Sequence, residues 1–195
     1  MPKAEQPIEI EVKVQIENTK GLLDFLKENG QFLSEEYQID TYYSPTHRDF
    51  VAPRPIKEWL RLRDSSGKFS INYKSFHFEE DGHSHFCDEY ETAIEDIKQL
   101  ERILNVLDMK QIVLVDKTRS AWKYKNYEIA IDSVKDLGNF VEIEYKGRAP
   151  KQKPSEITQE MINFLKKLKC GKIIRNYVGY PHQLLFPDEV KLEKS

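Results

Sequence analysis

The chain has 195 residues, enough for one sizeable domain. Its 39% hydrophobic and 32% charged content fits a globular protein rich in surface charge, and no apolar run reaches the ~18 residues of a membrane span. A net charge of −3 argues against broad, sequence-independent nucleic-acid binding but leaves room for a local basic pocket. Cys87 and Cys170 form no Cys-x-x-Cys pair, and the N-terminus lacks an apolar signal core, so reduced thiols and a cytoplasmic location are expected.

Residues 1–5 read as a loose tail. The first strand, 8–16, alternates strictly: Ile8, Ile10, Val12, Val14 and Ile16 on one face, Glu9, Glu11, Lys13 and Gln15 on the other. Asn18 or Thr19 can cap a short helix carrying Leu22, Leu23, Phe25 and Leu26, which Gly30 closes. A strand follows over 32–43, then a loop marked by Pro45, Pro53 and Pro55. Strands at 57–64 and 68–76 meet at the turn Ser65-Ser66-Gly67. After a turn at 79–82, a strand over 84–93 leads into a helix over 94–107, with Ile97, Leu100, Leu104 and Leu107 on one face. Strands recur at 111–124, 127–134 and 140–146. A Pro/Lys connector at 149–154 precedes a last helix over 155–168, and a short apolar piece spans 180–186. Hairpin-length connections dominate, which predicts a single α+β domain over 6–186 with tails at 1–5 and 187–195. Its core would be an eight-stranded antiparallel barrel or tunnel with helices outside.

Phase analysis puts like groups together. Arg61 and Arg63 share a face, as do Asn72 and Lys74, Glu89 and Glu91, Lys117 and Arg119, Glu128 and Asp132, and Glu142, Glu144 and Lys146. The amphipathic helices need an apolar surface to cover, so the apolar strand faces would look outward and the charged faces would line the interior. Charges there must pair, stay wet or bind something charged. Glu9, Glu11, Asp132, Glu142 and Glu144 are hard oxygen donors suited to Mg²⁺ or Mn²⁺. Lys13, Arg61, Arg63, Lys74, Lys117 and Arg119 suit phosphate oxygens. Carboxylates holding a metal beside clustered cations is the layout of phosphoryl chemistry. The competing reading, a barrel laced with structural salt bridges, requires five strands to mimic a site together.

These residues carry a pattern that resembles the CYTH superfamily, or triphosphate tunnel metalloenzymes. Its ExExK motif is similar to Glu9, Glu11 and Lys13, and its LRxR to Leu60-Arg61-Leu62-Arg63. Its following lysine resembles Lys74, its E-x-E strand Glu89-Tyr90-Glu91, and its basic pair Lys117 and Arg119. Its acidic strands resemble Ile131-Asp132 and the run from Leu137 to Glu144. The stretches Asp40-Thr41-Tyr42-Tyr43, Arg48-Asp49-Phe50 and Trp59 to Arg63 are similar to the class IV adenylyl cyclase branch, while the loop over 51–57 departs from it.

The resemblance implies a metal on Glu9, Glu11, Asp132, Glu142 and Glu144. It implies a triphosphate gripped by Lys13, Arg61, Arg63, Lys74, Lys117 and Arg119, with Lys13, Lys74 and Arg119 in the catalytic group. The implied reaction is conversion of ATP to cyclic AMP and pyrophosphate. The alternatives are a triphosphatase acting on inorganic, thiamine or nucleoside triphosphate, and a non-catalytic phosphate-binding module. The implied partner is a small-molecule triphosphate (ATP, thiamine triphosphate or tripolyphosphate), not a membrane or extended nucleic acid, and a homodimer fits the same pattern.

Other signals carry less. His83, His85 and Cys87 alternate on one face, but no fourth zinc ligand is spaced nearby. His47 and Arg48 sit in the proline loop, within reach of a nucleoside if the loop borders the site. Tyr177 and Tyr180 read as packing residues, and Lys166, Lys167 and Lys169 as a solvated helix face.

Overall fold

The strands anticipated from alternation are all present in the structure, a computed structural model that describes residues 10–78, 84–147, 152–175, 178–190 and 193–194. In chain order the elements are β1 (Glu11–Ile16), α1 (Lys20–Asn29), β2 (Gln31–Pro45), β3 (Glu58–Ser65), β4 (Lys68–Phe78), β5 (Ser84–Ile94) and α2 (Ile97–Val106). There follow β6 (Met109–Tyr124), β7 (Tyr127–Val134), β8 (Gly138–Tyr145), α3 (Pro154–Lys167), β9 (Ile173–Arg175), α4 (Tyr180–Leu185) and β10 (Glu193–Lys194). No helix among the described residues is long and apolar enough to cross a membrane.

Two features differ from expectation. Among the described residues there are ten strands rather than eight, because β9 and β10, of three and two residues, are too short to display a period of two. Hydrogen bonding runs β10-β9-β1-β8-β7-β6-β2-β3-β4-β5, so the ladder ends at β10 and β5 and does not close among the described residues. A closed barrel requires its two end strands to pair.

The chain divides into two compact units. One comprises 1–35, 118–179 and 186–195; the other comprises 36–117 and 180–185. In the first unit β1 pairs antiparallel with β8 and β9, and β8 with β7. Val12, Val14, Ile16, Ile129, Ile131, Val141 and Ile143 form the apolar face. Against it α1 buries Leu22 and Leu26, and α3 buries Ile157, Met161, Ile162 and Leu165. The helices therefore cover the apolar face, and the charged face of the same strands is left to other work. Gly21 permits this packing at one point. A Cβ there would sit 2.1 Å from the carbonyl oxygen of Leu168 at the end of α3.

In the second unit β2, β3, β4 and β5 form an antiparallel meander. Ser66 and Gly67, both at positive φ (51° and 87°), make the two-residue turn between β3 and β4. Here α2 lays Ile97, Leu100 and Leu104 on Tyr43, Leu60, Leu62 and Ile71. It begins at Ile97 rather than 94, because the Asp96 carboxylate accepts from the Gln99 N–H at 3.0 Å and caps the helix.

Candidate active site

In the first unit the register stacks charged side chains into rows across three strands. Glu11 of β1, Glu144 of β8 and Glu128 of β7 are cross-strand neighbours, and Lys13, Glu142 and Ala130 form the next row. Gln15, Phe140 and Asp132 form the third. Arg119, from β6, crosses onto this face. Its Nε donates to Asp132 Oδ1 and its Nη2 to Asp132 Oδ2, both at 2.7 Å, and Nη2 also reaches Glu142 Oε2 at 3.2 Å. The Asp132 side chain is only 2% exposed, so the guanidinium fork is what makes its charge tolerable there. Lys13 belongs to the same group. Burial pushes its amine below the usual lysine range; Glu142 and Asp132 pull it back up, and Arg119 pushes it down. Glu144 accepts from Lys146 Nζ, which also stands 3.5 Å from Glu128. Glu11 is exposed, and Glu9 lies outside the described residues.

The second unit carries its own charged face, opposite the side covered by α2. Asp40 of β2 lies directly across from Arg63 of β3, and Tyr42 across from Arg61. Arg63 donates from Nε to Asp40 Oδ1 at 2.6 Å and from Nη2 to Oδ2 at 2.7 Å. Arg61 stands farther off, with Nη1 3.6 Å from Asp40 Oδ2 and Nη2 3.8 Å from Glu91 Oε1. The Tyr42 phenol is pushed up to about 12, first by burial and then by the Asp40 charge. On β4 and β5, Lys74 Nζ lies 3.0 Å from Glu89 Oε2 while Asn72 Nδ2 donates to Glu89 Oε1 at 2.7 Å. Burial raises the Glu89 carboxyl, but these two contacts outweigh it and hold it below the usual range. Lys117 is buried, with its Nζ 5.2 Å from the centre of the buried Tyr180 ring.

The proline loop is tied to this unit. The Arg48 guanidinium donates to both oxygens of Glu58, at 2.9 and 2.6 Å, and lies 4.7 Å over the Phe50 ring. Phe50 is buried edge-on to Tyr73, whose hydroxyl also donates to Glu58, at 2.5 Å. Arg48 thus anchors its own loop. Of the zinc signal, His83 and the His85 side chain lie outside what is described; next to Cys87, Asp88 bonds His77 at 2.7 Å.

The structure therefore gathers Lys13, Arg119, Asp132 and Glu142 into one ion-paired group, and ties Arg61 and Arg63 to Asp40 and Lys74 to Glu89. Sequence reading gave Asp40 and Glu89 no role. Both were legible in phase: Asp40 alternates with Tyr42 opposite the arginines, and Glu89 opposite Lys74. What alternation does not show is which carboxylate a given cation will choose.

A divalent cation fits the donor chemistry of the first unit. The candidates are all carboxylates, the hard oxygen donors such ions prefer, and Asp132 and Glu142 already converge on a single cationic group, Arg119. Among the described residues no three His, Cys, Asp or Glu side chains gather closely enough to hold an ion unaided.

Residues 7–174 match the CYTH domain family model. The chain belongs to the CYTH family. A Methanocaldococcus jannaschii protein provisionally named an adenylate cyclase is 33% identical over 166 residues, 85% of this CYTH chain and 91% of that protein. Among solved structures, a Pyrococcus horikoshii protein is 28% identical with a TM-score of 0.67, covering 91% of this chain and 98% of the other. A Hippeastrum protein provisionally named an adenylyl cyclase, and described as having a dominant triphosphatase activity, shares the fold at 19% identity with a TM-score of 0.61. That match covers 92% of this chain and 95% of that one.

Proposed function

We propose that this CYTH protein is a divalent-metal-dependent adenylyl cyclase that converts ATP to cyclic AMP and pyrophosphate in the cytoplasm. The observation that carries the chemistry is the paired group in the first unit. Arg119 forks onto Asp132 and touches Glu142 beside a lysine whose amine is desolvated. A purely anion-binding face would gain nothing from these carboxylates, because they repel phosphate unless a cation offsets them. The cyclase assignment is supported by the Methanocaldococcus relative's name.

In this reading Glu9, Glu11, Asp132, Glu142 and Glu144 would hold Mg²⁺ or Mn²⁺. When bound, the ion would supply Lewis-acid polarisation of phosphate oxygens. By the motif, Lys13, Arg61, Arg63, Lys74, Lys117 and Arg119 are assigned to the phosphates, where such donors offset the charge that builds on the transferring group. Lys13, Lys74 and Arg119 act at the reacting phosphate.

A second reading, triphosphate hydrolysis, is favoured by one observation. Arg48, the loop cation best placed in sequence to meet a nucleoside, is spent on Glu58 and Phe50. Hydrolysis of a terminal phosphate needs no grip on the nucleoside. Product analysis separates the two. Incubation with ATP in Mg²⁺ or Mn²⁺ should yield cyclic AMP and pyrophosphate; ADP and orthophosphate without cyclic AMP would defeat the cyclase reading. Turnover of tripolyphosphate and thiamine triphosphate, run in parallel, ranks the hydrolytic substrates.

A further inference from the structure

Two arginines two residues apart on one strand face would ordinarily be given the same job. The geometry of the 36–117 unit gives them different ones. Arg63 spends its Nε and one Nη on Asp40 in a bidentate pair, at 2.6 and 2.7 Å. That leaves little of its fork to meet a phosphate edge-on. Asp40, with a side chain only 3% exposed, cannot release it cheaply, since an unpaired carboxylate at that depth is strongly disfavoured.

Arg61 is in the opposite condition. Its contacts to Asp40 and Glu91, at 3.6 and 3.8 Å, are ionic but too long for hydrogen bonds. Its buried Nε has no hydrogen-bond partner among the described residues. A buried donor left without an acceptor is costly, and natural structures rarely keep one without a use. Asp40 attracts Arg61 without saturating it, and Tyr42, directly across the strand pair and buried, limits where it can swing.

We propose that Asp40 is a positioning residue for phosphate recognition: it locks Arg63 as a structural strut and aims Arg61, whose loosely held guanidinium is the one that meets the triphosphate. This assignment rests on the triphosphate reading above. It divides the labour of the Leu60-Arg61-Leu62-Arg63 motif, and it makes a carboxylate, which by charge alone should oppose anion binding, necessary for it.

The test is a thermodynamic cycle read by calorimetric titration of tripolyphosphate with Mg²⁺, at a temperature well below the Tm of every variant. Arg61→Gln should weaken binding by about 10- to 100-fold, the scale of charge-assisted hydrogen bonds. Asp40→Asn should lose a comparable amount, and Asp40→Asn with Arg61→Gln should lose no more than Arg61→Gln alone. Arg63→Gln should cost nothing further in the Asp40→Asn background. If Asp40 were merely structural, its variant would lower the Tm and leave the affinity of the folded chain unchanged, which overturns the proposal. Losses for Arg63→Gln and Asp40→Asn that multiply would also overturn it, since Arg63 would then touch phosphate independently. Should Asp40→Asn not fold, Arg63→Lys, which keeps a cation beside Asp40 and loses the fork, takes its place: it should leave tripolyphosphate affinity within about twofold of wild type, and a loss as large as that of Arg61→Gln overturns the proposal. A wild-type chain that binds no tripolyphosphate would defeat the triphosphate reading itself, a different result from multiplying losses in a chain that binds.

Discussion

The pairing of Arg119 with Asp132 makes a quantitative demand. In Asp132→Asn the side chain keeps its volume, but one oxygen that accepted at 2.7 Å becomes an amide that can only donate toward the same guanidinium. Breaking a fully buried ion pair costs about 3–5 kcal/mol. Arg119 is 26% exposed, so water recovers part of that, and about 3 kcal/mol is the expected loss. For a chain of this size that corresponds to a fall in Tm of about 6–12 °C. Glu142→Gln is the internal control. Its contact with Arg119 is the longer one, at 3.2 Å, and its side chain is 28% exposed, so about 0.5–1 kcal/mol is expected. The assay is urea or thermal unfolding at pH 7 with a chelator present, so that metal binding does not enter. Adding Arg119→Gln to Asp132→Asn should cost clearly less than the sum of the two single changes, since each removes the same pair. An Asp132→Asn protein as stable as wild type, or a Glu142→Gln loss as large as that at Asp132, would refute the idea that this fork carries the buried charge.

Lys13 has a pKa lowered by burial, so between that lowered value and 10.5 the unfolded chain binds more protons than the folded one and stability rises with pH. Lys13→Met should flatten that rise and leave Tm at pH 7 undiminished while abolishing tripolyphosphate binding; melts from pH 7 upward, paired with titrations, check both. Gly21→Ala should cost about 1–3 kcal/mol, because the new Cβ would sit 2.1 Å from the Leu168 carbonyl oxygen; a melt equal to wild type would show that α1 and α3 separate freely. Arg48→Ala should cut cyclic AMP formation about 10-fold or more by loosening the loop held through Glu58, with tripolyphosphate turnover retained. Equal loss of both reactions would place Arg48 in general folding rather than in nucleoside placement.

Strict alternation made most of this architecture legible before any coordinates. Along β1, the residues at 12, 14 and 16 are buried, while 11 is exposed and 13 and 15 are half-buried, as a two-faced strand with a charged inner face requires. The inversion, with helices on the apolar face and charges on the other, followed from the surplus of amphipathic helices and holds in each unit. What alternation hid was pairing. Glu142 and Glu144 share a face and a motif, yet one meets Arg119 and the other Lys146, a choice made by cross-strand register and side-chain reach. The pairing of Asp40, noted in sequence only as part of a motif, stayed hidden for the same reason, since its partner is 23 residues away. Strands β9 and β10 escaped because their contribution is a few backbone hydrogen bonds, which leave no periodic trace.

The two guanidinium forks, Asp40 with Arg63 and Asp132 with Arg119, bind positions 23 and 13 residues apart into units of inheritance. A substitution at one member strands a charge at the other, so the viable route between alternative sequences passes through both changes or neither. Descendants that lose Asp40 should therefore have lost Arg63 as well, and those that neutralise Asp132 should have replaced Arg119. Arg61, held by longer and weaker contacts, is under no such bond to a single neighbour, and its history should follow the ligand instead.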